Sequence, residues 1–173
     1  MSEPALRFDA ETKVQEVDHK AELRLWLRLL TCATLIEAEV RRRLRRQFNE
    51  TLPRFDLMAQ LERADSGITL GEVSQRMMVS AGNVTSLVDR LVKAGHVERR
   101  PAPNDRRSQL IRLSARGRQH FRRMAAAHED WVAELLADLR EKDIAATMER
   151  LAKVKESVSA ALARRAGGDA PSP

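Results

Sequence analysis

A single cysteine, Cys32, stands among the 173 residues, so an intrachain disulfide is excluded and a reducing compartment is expected. No apolar run is long enough to span a membrane, and no signal-peptide core follows Met1. These absences predict a cytoplasmic protein with no membrane partner. Catalytic patterns are missing as well. There is no nucleophile elbow, no glycine-rich phosphate loop and no pair of carboxylates in an apolar setting, so no enzyme activity and no cofactor are expected. The four histidines offer no ligand set: His120 and His128 lie eight residues apart on one predicted helix, too far for one ion, and no cysteine or second close histidine completes a site. No metal is therefore expected. Internal repeats are also lacking. What remains is 43% hydrophobic and 32% charged residues, a balance that suits one globular domain with a real core.

The formal net charge is +6, which by itself fits nucleic acid, an anionic membrane or an acidic partner. Placement decides between them. Arg99, Arg100, Arg106, Arg107, Arg112, Arg116, Arg118, Arg122 and Arg123 crowd one stretch with little acid between them, a clustering that favours a phosphate backbone.

That stretch follows a helix-turn-helix pattern. Thr69 and Glu72 form a capping box, and Leu70, Val73 and Met77 make one buried stripe. Val79-Ser80 breaks the pattern, and Ser80 is the N-cap of a second helix through Ala94. Val84, Leu87, Val88 and Leu91 form its apolar face. The opposite face carries Ala81, Asn83, Thr85, Ser86, Asp89 and Arg90, a compact polar surface suited to a major groove. Gly95 closes the helix as its C′ residue. Two short strands are expected at 96–100 and 109–113, with a proline-bearing, basic loop at 101–108 between them.

These residues resemble the MarR family of bacterial winged-helix regulators. The resemblance rests on the helix run VSAGNVTSLVDRLVKAG, the strand HVERR, the wing motif NDRRS and the junction IRLSARG, and it extends over roughly residues 20 to 162. A helix-turn-helix alone would say little; helix, wing and the Asp-Arg-Arg tip in this order say much more. The expected fold is mainly α with a small β-wing: a winged helix-turn-helix lobe plus long N- and C-terminal helices that form a dimerisation base.

In chain order, the sequence predicts a loose arm at 1–18, helical dimerisation segments at 19–49 and 114–163, a DNA-binding lobe at 50–113 and a disordered tail at 164–173. Leu23, Leu27, Leu30, Ala33, Ile36, Val40, Leu44 and Phe48 recur at helical spacing in the first long helix. Its arginine block at 41–46 reads as a solvated face whose aliphatic stems cover core. Thr51-Leu52-Pro53 opens a shorter helix, and Ser114 caps the long helix that follows the wing. A break near 140–143 leads to a last helix striped with Ile144, Met148, Leu151, Val154, Val158 and Leu162. Such stripes are too long for one small lobe to bury, so two subunits are expected to share them. The family resemblance implies the same homodimer, and two-fold symmetry then implies a pseudo-palindromic operator on double-stranded DNA.

The expected DNA contacts from the second helix are Ser80, Asn83, Thr85, Ser86 and Arg90. Arg90 reaches either guanine or phosphate, and Asp89 reads as the partner of a nearby arginine. At the wing, the family pattern Asp-x-Arg falls on Asp105 and Arg107. By resemblance Arg107 enters the minor groove and Asp105 shapes the loop, with Arg106 as the alternative groove residue. Cys32, set among Leu29, Leu30, Ala33 and Leu35, reads as a small buried hydrophobe rather than an oxidant sensor. The segments LRLWLRLLTCATLIEAEVRRRLR and TLPRFDLMAQLERA look like a branch of the family that controls aromatic catabolism. That likeness implies a small-molecule effector, an aromatic acid or its hydroxycinnamoyl-CoA thioester, held by Trp26, Arg28, Leu29, Arg54, Phe55 and Met58. Each of the apolar residues among them is more often plain core. The function expected is a sequence-specific transcriptional repressor released by that effector. The alternative is an architectural or protein-interaction winged-helix protein with no effector.

Overall fold

The computed structural model describes residues 19–64, 66–102 and 105–168. The expected arm at 1–18 and the last five residues of the expected tail lie outside the described residues. Nine elements follow one another: α1 (Lys20–Phe48), α2 (Leu52–Glu62), β1 (Ile68–Thr69), α3 (Leu70–Met77), α4 (Ala81–Lys93), β2 (Val97–Ala102), β3 (Asp105–Leu113), α5 (Ala115–Leu135) and α6 (Glu141–Gly168). The mainly helical class and the winged arrangement expected from the sequence are those found. No helix among the described residues is long and apolar enough to cross a membrane.

The chain divides into two compact units that part inside α1, one reaching to Ala38 and the other beginning at Glu39. In the first unit the α1 stripe is largely solvent-facing, with Leu23, Trp26, Leu27, Leu30 and Leu35 all exposed. Cys32 is exposed too, against the expectation of a buried thiol. Helical spacing correctly put it beside leucines, but Leu30 and Leu35 are themselves exposed and Leu29 is only half-buried.

The second unit holds the core. Val40 and Leu44 of α1, Phe55, Leu57, Met58 and Leu61 of α2, and Met124 and Trp131 of α5 are buried, together with Val73 of α3 and Val84, Val88 and Leu91 of α4. The sheet adds Ile68, Val97, Ile111 and Leu113 from its covered face. Its strand order is β1-β3-β2, all antiparallel. The sequence pattern missed β1, which pairs Ile68 with Ile111 and Thr69 with Leu110. Two residues are too few to show alternation, and this pair becomes a strand only because β3 lies alongside.

The wing strands also run further than expected. Pro101 and Ala102 belong to β2 and residues 105–108 to β3, where a loop was read from proline content. Because β2 is an edge strand, Pro101 need not donate to a ladder on its outer side. Likewise α6 continues to Gly168, past the helix end expected at 163. The added residues Arg164, Arg165 and Ala166 are all good helix formers, and Gly167-Gly168 is where the propensity fails. Among the residues of α6, Ile144, Met148, Leu151, Val158 and Leu162 are exposed.

Candidate nucleic-acid interface

The turn between α3 and α4 is built by local bonds. Thr69 and Glu72 make the reciprocal capping box at the start of α3. Met78 ends that helix in the left-handed region with φ 54°, and Ser74 Oγ donates to the Val79 carbonyl at 2.6 Å. Ser80 then caps α4, its Oγ accepting from the Asn83 amide at 3.4 Å. The new helix leaves at an angle fixed by both caps.

Val84, Val88 and Leu91 anchor α4 and are wholly buried. The rest of the helix faces solvent: Ser80, Ala81, Gly82, Asn83, Thr85, Ser86, Asp89 and Arg90 are all exposed. Thr85 Oγ1 donates to the Ala81 carbonyl at 2.9 Å, which leaves its oxygen lone pairs and methyl outward. Asp89 does what its ordinary reading suggested: Oδ1 accepts from Arg99 Nη2 at 2.5 Å, tying α4 to β2. One rigid element therefore displays amide, hydroxyl and guanidinium groups from an apolar bed.

The wing stands beside it. Glu98 and Arg112 face each other across the β2–β3 ladder and bond at 2.5 Å, with Arg100 Nη2 3.3 Å from the same carboxylate oxygen. The bond from Arg112, then the nearby Arg100 charge, hold the Glu98 carboxyl below its ordinary range. Several of the clustered arginines are thus engaged within the protein. Arg118 and Arg122 likewise reach Glu62 of α2 at 3.2 and 3.3 Å, so their part of the basic run fastens α5 to α2. In the α1 block Arg42 and Arg43 bond Glu39, and Arg43 also bonds Glu134.

Asp105, Arg106 and Arg107 lie at the start of β3. Pairing jumps there from Pro101↔Gln109 to Ala102↔Asp105, so one step along β2 is matched by four along β3. Arg106, Arg107 and Ser108 occupy that bulge, a device that bends a strand and redirects it.

A tight joint links this surface to α5. Gly95 takes φ 75° after α4, and its carbonyl accepts from Ser114 Oγ at 2.7 Å. The His96 carbonyl accepts from the Ser114 amide at 3.0 Å. Gly117 packs so closely that a Cβ there would sit 1.8 Å from the His96 oxygen. The end of α4, the first wing strand and the N-terminus of α5 meet at these four residues.

The residues read as an effector set are divided between the units. Trp26 and Arg28 are exposed and Leu29 half-buried on the first part of α1. Phe55 and Met58 are core residues of the second unit, and Arg54 Nη1 donates to Glu50 Oε2 at 3.1 Å. Phe55 packs against Phe121 and His128, with ring centroids 5.5 and 5.1 Å apart. Burial pushes the His128 pKa down. A histidine that resists protonation when folded takes up its proton on unfolding, so stability should fall as the pH drops through about 6.5, the value expected of the unfolded side chain. Urea midpoints between pH 7.5 and 5 check this, and His128→Gln should give the shallower slope; equal slopes would remove His128 from the account.

The histidine expectation needs correcting. His96 and His120 stack with centroids 4.4 Å apart, and both face the carboxylate of Glu50. Residues 50, 96 and 120 are too widely spaced in the chain for any local motif to join them. Only the packing of α5 against the α4–β2 joint does so.

Comparison with known proteins agrees with this geometry. The MarR family model matches residues 51–108. The transcriptional activatory protein BadR of Rhodopseudomonas palustris is 29% identical over 146 residues, covering 82% of this chain and 83% of that one. Other regulators match over about half of their own length. Among solved structures, a MarR family transcriptional regulator from Silicibacter pomeroyi superposes with a TM-score of 0.70 at 31% identity, covering 81% of this chain and 96% of that chain. A cysteine-to-serine mutant of E. coli MarR complexed with operator DNA superposes at 0.68 with 26% identity, covering 79% and 96%.

Proposed function

The chain belongs to the MarR family of DNA-binding transcriptional regulators, and on that premise we propose that it acts as a homodimeric repressor of a pseudo-palindromic operator. The observation that carries the reading is α4, a helix with three wholly buried anchors and a continuous exposed polar face, beside a wing bulged at Arg106 and Arg107. Two such lobes related by a two-fold axis meet successive major grooves when half-sites lie about 10 bp apart. The exposed stripe on α6 supports pairing, since isolated folded chains seldom leave so much aliphatic surface in one helix.

Asn83, Thr85, Ser86 and Arg90 read base edges or phosphates in this proposal, with Ser80 at the helix start. Arg107, or Arg106 in its place, enters the minor groove, and Asp105 holds the turn. Titration of salt against operator affinity tests these roles. Each lost phosphate or groove contact should lower the slope of log K against log salt by about 1, so Arg107→Ala should bind more weakly and with a flatter slope. Arg90→Ala should cost about 1–3 kcal/mol on operator and much less on random duplex if it reads guanine. Wild-type slopes and affinities in both variants would defeat the assignment.

The effector proposed is a small aromatic acid or its CoA thioester. The likeness of the α1 and α2 segments suggests it, and the exposed Trp26 and Arg28 fit a ring and an anion. Release requires the effector to bind the DNA-incompetent arrangement better than the competent one. A thermal-shift panel of free acids and thioesters tests the ligand class; a shift with acids alone would end the thioester version. A footprint that no small molecule releases, spread evenly over duplex, would favour an architectural role. Transcription from the footprinted promoter gives the sign: a repressor lowers the transcript, whereas an activator, as the name of BadR describes that relative, raises it.

A further inference from the structure

We infer that Glu50, His96 and His120 form a binding site for a divalent transition metal ion, with Zn²⁺ the best fit to the donor set. The three side chains arrive from three separate places: the residue pair after α1, the joint between α4 and β2, and the second turn of α5. Glu50 and His96 are buried and His120 is nearly so, its side chain 13% exposed.

Their donor atoms converge. Glu50 Oε1 lies 3.8 Å from His96 Nδ1 and 3.6 Å from His120 Nε2, and all three atoms fall within 4.8 Å of one another. Donors held about 2.0–2.1 Å from a tetrahedral zinc ion stand about 3.3 Å apart, so the two measured edges need contract by roughly half an ångström or less. At their present separations the contacts are too long for hydrogen bonds. His96 Nδ1 and His120 Nε2 are in fact buried without a hydrogen-bond partner among the described residues. Two orphaned ring nitrogens aimed at one carboxylate oxygen are costly as a plain core arrangement, and a shared cation satisfies all three.

Burial is the main cause that pushes both histidines below their ordinary pKa, against the opposing pull of Glu50. The second Glu50 oxygen is engaged by Arg54, which fixes the carboxylate and leaves Oε1 for the ligand. The His96 backbone is pinned on both sides, its amide donating to the Leu91 carbonyl and its own carbonyl accepting from Ser114.

With three protein donors the fourth position is left to solvent or a small ligand. A cavity of about 490 Å³ opens there, lined also by Asn49, Gln119, Arg116 and Arg123. The arginines work against a bare dication and in favour of an anionic fourth ligand, which restores the local charge balance. A bound ion would clamp the end of the recognition helix to α5, so its occupancy is expected to alter operator affinity. The site itself stands without that consequence and without the DNA reading.

Full-length protein stripped with EDTA and titrated with Zn²⁺ or Co²⁺ alone tests the site. One ion per chain and a raised thermal midpoint are expected. His96→Ala and His120→Ala should each weaken binding about 100-fold or more, the upper end of the loss caused by removing mere supporting residues, while Cys32→Ser leaves it unchanged. Because buried substitutions can disturb folding, X-ray absorption of the zinc-loaded wild type provides an independent readout. It should show a nitrogen and oxygen shell containing two imidazoles. No binding by the wild type, binding unchanged in folded histidine variants, or a sulfur shell would each overturn the proposal.

Discussion

Gly117→Ala is expected to lower stability by about 3 kcal/mol or more, at the upper end of what overpacking costs. The added methyl would meet the His96 carbonyl oxygen at 1.8 Å, the carbonyl carbon at 2.7 Å and Cα at 2.9 Å. All three are backbone atoms, so no rotamer change relieves the clash. That backbone is itself held by the Ser114 amide and by the Leu91 carbonyl, so relief must move α5 away from the joint or strip these bonds. For a chain of this length the loss corresponds to a fall in Tm of roughly 10 °C at fixed protein concentration. Gly82→Ala is the control: a methyl there meets nothing within 4 Å, and alanine is the better helix former. Chemical denaturation of both variants makes the comparison. A Gly117→Ala protein within about 0.5 kcal/mol of wild type would mean that the joint is not as tight as described, since ordinary surface changes reach that size.

The second large effect concerns assembly. Met148 and Leu162 lie two heptads apart on one face of α6 and are 66% and 61% exposed. Replacing both with glutamate should leave each chain folded, since neither contributes to its own core. It should prevent pairing, because two carboxylates per subunit would have to be buried in an apolar seam. A monomer holds one half-site only and forfeits the effective concentration that links the two lobes, which is commonly worth 100-fold or more in affinity. Sedimentation velocity should therefore report a monomer, and operator affinity should fall by about 100-fold or more with circular dichroism unchanged. A variant that still sediments as a dimer would place the interface elsewhere. A variant that is monomeric yet binds the palindrome as tightly as wild type would defeat the two-lobe reading.

Both effects rest on contacts of different legibility. The caps of α3 and α4, the apolar anchors of α4 and its polar face were readable because each depends on residues within about two turns. Capping and helical periodicity are local physics. The pairing of Asp89 with an arginine was also within reach, since α4 and β2 are joined by a short turn and carry opposite charges. The breadth of the basic cluster misled. Charge counted along the chain does not reveal that Glu62 and Glu98 come from other elements to engage Arg118, Arg122 and Arg112.

By itself the sequence determined the helical class, the helix-turn-helix with its display face, the wing and the family these imply, because propensity, capping and periodicity act between near neighbours. The tertiary structure decided the third strand, the exposure of Cys32, the clearance at Gly117 and the meeting of Glu50, His96 and His120. Each of those depends on which distant segments lie against one another, and neither spacing nor composition carries that information.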